Sequence, residues 1–172
     1  METAPATWSK SGPAGTRATK PDPLEVAIPP EASILVDSSV VLAYLTGTEP
    51  TSLLATQLFD AFIATGRNLA SLSVITVGEI LVRPFRAGPQ AVARAEGFLR
   101  HFGDIRVVDI DYDTAREAAR IRAESNLRTP DALILASALA SEVDVLVTND
   151  RAWTTRLPSM APAHKVCLLS DL

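Results

Sequence analysis

The chain of 172 residues has one cysteine, Cys167, only two histidines and 5% aromatic residues. A lone cysteine excludes an intramolecular disulfide, and its neighbours in VCLL mark it as a buried strand thiol rather than a reactive one. His101 and His164 stand at no zinc-binding spacing. No apolar run approaches the ~20 residues that a membrane span needs. The N-terminus lacks the continuous apolar stretch of a secretory signal. No GxGxxG, GxxxxGK(S/T) or GxSxG pattern occurs, which removes the dinucleotide, P-loop and nucleophile-elbow readings. Together these absences point to a cytoplasmic protein.

What is present suits one globular domain. Apolar residues make up 47% of the chain, enough at this length to build a core. The formal net charge of −4 speaks weakly against binding nucleic acid. Yet 13 of the 16 basic residues are arginine, whose planar fork matches phosphate. Residues 1–32 carry six of the twelve prolines and no apolar period. They are expected to form a disordered or loosely attached tail, with the folded domain spanning 33–172.

From Ser33 onward short apolar runs alternate with helical patterns. Strands are expected at 33–36, 69–73, 105–110, 143–147 and 166–169. Helices are expected at 38–45, 51–65, 74–83, 89–101, 113–125 and 129–141, with a short one over 151–155. Pro84 is expected to end the third helix, and Ser73 to cap it. This alternation predicts an α/β fold whose parallel sheet is covered on both faces. Ligands of such sheets sit beyond the carboxyl ends of the strands, where strand order reverses.

Four acids lie where apolar runs begin or end: Asp37 closing SILVD, Glu79 inside VITVGEILV, Asp131 opening DALILASALA and Asp150 closing VDVLVTND. A buried unpaired carboxylate is costly. A shared divalent cation would relieve that cost, and oxygen ligands select a hard ion such as Mg²⁺ or Mn²⁺. Each acid also has a plainer role open to it. Asp37 and Asp150 could cap the helices after them. Asp131 could favour its helix N-terminus, and Glu79 could pair with Arg83 one turn on. An aspartyl-nucleophile phosphatase would carry an acid two residues after the nucleophile, where Ser39 stands.

In ILVDSSVVLAYL, SVITVGEIL, RTPDALILASAL and VDVLVTNDRAW the chain resembles PIN-domain proteins, and among them the VapC-type toxin ribonucleases of type II toxin–antitoxin systems. The resemblance covers about residues 33–172. It implies a PIN-like three-layer α/β/α fold with a central parallel sheet of four to five strands. It also implies a Mg²⁺- or Mn²⁺-dependent endoribonuclease that cleaves RNA by metal-activated water. By the same resemblance Asp37 and Asp131 would be the principal metal ligands, and Glu79 and Asp150 would complete the shell and activate the nucleophile. Ser39 and Thr148 fit secondary hydroxyl positions, with turn and cap hydrogen bonding as their other reading. The implied partners are an RNA substrate, a small cognate antitoxin and a second copy in a homodimer. The apolar segments VVLAYL and TSLLATQLFDAF are candidate contact surfaces, unless both simply pack on the sheet. The alternatives are a housekeeping PIN-domain RNA-processing nuclease without an antitoxin, or a PIN-like module that binds RNA or protein without cleavage. The long N-terminal segment departs from the family pattern, which usually begins a few residues before the first strand.

Overall fold

The computed structural model describes residues 21–103, 105–156 and 165–172. Five strands form one sheet: β1 (Ile34–Val36), β2 (Ala70–Ser73), β3 (Ile105–Val108), β4 (Val145–Thr148) and β5 (Lys165–Leu168). Their order is β3-β2-β1-β4-β5, and every pairing is parallel. The chain therefore steps outward from β1 to β3, then returns to build the other side from β4. Strand order reverses between β1 and β4.

The pleat divides the core into two layers. Ile34, Val36, Val145 and Val147 face one apolar cluster, and Leu35 and Leu146, the residues between them, face the other. Side chains alternate across a strand, so a sheet whose strands are buried on both faces must be covered twice. On the first side lie α2 (Ser38–Thr46), α3 (Ser52–Gln57) and α4 (Val74–Ala87). A π-helical segment, Leu58–Ile63, continues α3. There Tyr44 stacks on Phe59 at 4.5 Å between ring centroids, with Phe98 and Phe102 against both. The two phenylalanines come from α5 (Pro89–His101) and the residue after it. The second side is closed by α6 (Tyr112–Ser125), α7 (Thr129–Ala140) and α8 (Arg151–Arg156). Trp153 is buried there.

Two expectations need correction. Pro84 does not end its helix, because α4 runs on to Ala87 with the proline inside it. Proline removes a single donor, and the helix stops only at Gly88, where φ is +112°. The domain also begins before residue 33. Asp22 caps α1 (Pro23–Ala27) by accepting from Leu24 N–H at 2.9 Å, and Gln57 Nε2 also donates to its carboxylate. Leu24 and Ile28 are wholly buried in the first core layer. Asn68 donates to the carbonyls of Pro29 and Ala32, each at 2.8 Å. Two apolar residues four apart suffice to seat one helical turn, although no longer period announces it. The rest of the expected tail, residues 1–20, lies outside the described residues, as does His164.

The two apolar segments expected to offer contact surfaces mostly pack inward. Val40, Val41, Ala43, Ala55, Leu58, Phe59 and Phe62 are buried, while Leu45 and Leu53 remain exposed. Among the described residues, no helix is long and apolar enough to cross a membrane.

Candidate active site at the strand-order switch

Asp37 follows β1, and Thr148-Asn149-Asp150 leads from the end of β4, so both segments sit at the reversal point of the sheet. The side chain of Asp37 is 5% exposed. One oxygen accepts from Ser38 N–H at 2.8 Å, and the other from Ser39 Oγ at 2.6 Å and Thr148 Oγ1 at 2.9 Å. Burial pushes its pKa above the ordinary aspartate value, against the opposing pull of Ser39, Thr148 and the neighbouring backbone donors. Desolvation disfavours the charged form, and hydrogen bonds to it favour it. Here desolvation wins.

The two hydroxyls also fix the second segment. Ser39 Oγ accepts from Asn149 N–H at 3.0 Å, and Thr148 Oγ1 accepts from Asp150 N–H at 3.0 Å. Ser39 and Thr148 thus join the ends of β1 and β4 through one carboxylate. Asp150 Oδ1 in turn accepts from Ala152 N–H at 2.8 Å at the start of α8. The cap readings for Asp37 and Asp150 therefore hold as geometry, and among the described residues no hydrogen bond reaches Asp150 Oδ2.

Asp131 stands in the first turn of α7. That helix is fastened beside the end of β2 by a 2.9 Å hydrogen bond between Ser137 Oγ and Ser73 Oγ, where Ser73 caps α4. Arg128 grips Asp131 with Nε at 3.0 Å and Nη2 at 3.3 Å. Its pKa is raised first by hydrogen bonding to Asp131, then by that carboxylate's charge, with further pull from Asp150 and Glu79. One guanidinium therefore lies in the field of three of the four acids. Glu79 projects from α4 half-buried. Among the described residues it forms no ion pair with Arg83, so the pairing expected from their spacing is not made.

Among the described residues, no three acidic, His or Cys side chains stand close enough to enclose a metal ion together. The donor set still fits a hard divalent ion in kind, being made of carboxylate oxygens with hydroxyls behind them. Arg128 is the counter-cation of Asp131. That arginine was not among the residues singled out from the sequence. Its signal is the spacing of Arg128 and Asp131, three apart at a helix start.

A family model for the PIN domain matches residues 34–156. The chain belongs to the PIN-domain family. Members of this family are generally nucleases. No curated protein sequence matches the chain. Among solved structures, a toxin–antitoxin complex from Klebsiella pneumoniae is similar at TM-score 0.59 and 23% identity, over 79% of this chain and 97% of that one. The sarcin–ricin loop cleaving toxin VapC20 of Mycobacterium tuberculosis gives TM-score 0.59 and 18% identity, over 71% and 93%. A VapBC-5 member of the VapBC toxin–antitoxin family, from the same organism, gives TM-score 0.52 and 25% identity, over 78% and 97%. These likenesses place the PIN fold along most of this chain.

Proposed function

We propose that this PIN domain is a Mg²⁺- or Mn²⁺-dependent endoribonuclease and the toxin of a toxin–antitoxin pair. The observation that carries the reading is Asp37, a carboxylate kept buried at the strand-order switch and clamped by Ser38, Ser39 and Thr148. A carboxylate held in one position by three donors is suited to serve as a metal ligand. Asp37 and Asp131 would hold the ion, with Glu79 and Asp150 completing its surroundings. When bound, the ion supplies positive charge for the phosphoryl oxygens and makes water more acidic. Asp150 Oδ2, left over by the bond from Ala152, accepts the proton of the attacking water. Water oxygen bonds to phosphorus and the bond to the leaving ribose oxygen breaks; that oxygen takes a proton from solvent water, to which Asp150 returns the one it accepted. For Asp131 to hold the ion, Arg128, 79% exposed, would have to release it.

The toxin half of the reading rests on the solved relatives, which are toxins or toxin–antitoxin complexes. The exposed Leu45 and Leu53 give an apolar start to a contact with an antitoxin or a second copy.

The deciding experiment combines inducible expression with purified protein. Wild type should arrest growth and cleave single-stranded RNA in Mg²⁺, and EDTA should abolish cleavage. Asp37→Asn and Asp131→Asn should be folded, harmless and inactive. Undiminished cleavage in EDTA would overturn the metal-dependent mechanism.

A further inference from the structure

Arg128 stands where a helix would least take it. It is the N-cap of α7, extended at φ −64° and ψ 156°, and makes no side-chain cap hydrogen bond. Ser, Thr, Asp or Asn at that position would satisfy a free backbone N–H, and the positive end of the helix dipole disfavours a cation. A residue that breaks the local rule in this way calls for a gain elsewhere. The contact it makes is specific. Nε and Nη2 donate to the two oxygens of Asp131, at 3.0 Å and 3.3 Å. That is the two-pronged geometry in which arginine holds a carboxylate or a phosphate.

The partners differ in exposure. The side chain of Asp131 is 13% exposed and that of Arg128 is 79% exposed. The carboxylate is therefore set into the protein, while the guanidinium lies on the solvent side of it and can leave without uncovering the core. An exposed ion pair holds weakly, so a divalent cation arriving at Asp131 can displace it. The freed guanidinium then stands near a dication, which repels it unless an anion comes between them. In an endoribonuclease a phosphodiester oxygen is that anion, and phosphate is the other group that the arginine fork matches.

We propose that Arg128 has two positions: on Asp131 before the cation binds, and on a phosphate of the RNA strand once the cation has taken Asp131. In the first position the arginine competes with the ion. In the second it is a substrate-binding residue. The phosphate position rests on the ribonuclease reading, whereas the competition at Asp131 needs no RNA.

The test begins with Mn²⁺ titration of the full-length protein, followed by electron paramagnetic resonance, for wild type, Arg128→Ala and Arg128→Lys. Arg128→Ala should bind Mn²⁺ about fivefold more tightly, the upper end for an exposed ion pair. Arg128→Lys should stay near wild type, because it keeps the charge. Binding of a fluorescent single-stranded RNA is then measured in saturating Mn²⁺, in an Asp150→Asn background that lacks the proposed proton acceptor. There Arg128→Ala should act in the opposite direction and weaken RNA. The slope of log affinity against log salt should also flatten by about 0.7, as for one lost phosphate contact on a single strand. An arginine that only fastens the start of α7 would not tighten one ligand while loosening the other. Mn²⁺ bound equally or more weakly by Arg128→Ala overturns the competition and leaves the metal-dependent reading intact. RNA affinity and salt slope unchanged by Arg128→Ala overturn the phosphate position. A wild type that cleaves no RNA would count against the ribonuclease reading alone, since the Mn²⁺ titration reads Asp131 without substrate.

Discussion

Asp37 shows how one side chain can be both well bonded and poorly placed. It accepts three close hydrogen bonds, yet burial still pushes its pKa upward. A group whose folded pKa exceeds its unfolded value favours folding fully below the unfolded value, and that contribution is lost as pH rises through the folded one. Without a divalent cation, wild type should therefore lose stability, relative to Asp37→Asn, between the ordinary aspartate range and neutrality. Melting both proteins in EDTA from pH 3.5 to 8 should show Asn gaining on Asp as pH rises, and parallel curves would show that burial imposes no such cost. Cys167 gives a second check. Its thiol is buried on β5 and pushed up to about 11 by desolvation. The thiolate is the reactive form, so native protein at pH 8 should be silent toward a thiol reagent and react fully once unfolded. Asp37, Ser39 and Thr148, which the structure joins by hydrogen bonds, stand in the sequence at the ends of apolar runs. Arg128 carries only the signal of its three-residue spacing to Asp131, and Asn149 carries none, since its partner Ser39 lies 110 residues away.

At the scale of the element, α1 and α4 are instructive. The segment from Asp22 to Ala32 reads as proline-rich tail, but Leu24 and Ile28 fill the core beneath it. Removing a buried leucine side chain costs its transfer energy and leaves a cavity, together about 2–5 kcal/mol. Leu24→Ala should lower Tm by several degrees, and a chain beginning at Ala32 should be less stable still. If that shortened chain melts like wild type, the packing of α1 contributes nothing. Helix α4 carries Glu79 and Arg83 one turn apart, with Glu79 in the field of Arg128 and Arg83 bordering a cavity with Ser39. Spacing alone pairs these two residues with each other. Among the described residues that pair is not made.

For the whole molecule, the order β3-β2-β1-β4-β5 places the reversal between the strands that carry Asp37 and Asp150. A cation bound there links the ends of β1 and β4 to the start of α7 and should stabilise the native state by mass action. With Mg²⁺ or Mn²⁺ at about 100 times its Kd, the gain should approach ~2.7 kcal/mol. Asp131→Asn should lose most of that gain while keeping its fold, as judged by circular dichroism and thermal melts. An equal rise in the variant would place the ion elsewhere.

The amino-acid sequence by itself determined the alternation of strands and helices, the parallel sheet with two covered faces, and the carboxylate and hydroxyls of Asp37, Ser39 and Thr148 at the strand ends that meet at the switch. Local patterning records these because burial leaves a period and a carboxylate interrupts it. Only the tertiary structure decided that the domain begins at Asp22, that Arg128 rather than Arg83 meets one of the acids, and that Asn149 bonds to Ser39. Those outcomes depend on which distant segments the sheet order brings together. No local period encodes that choice.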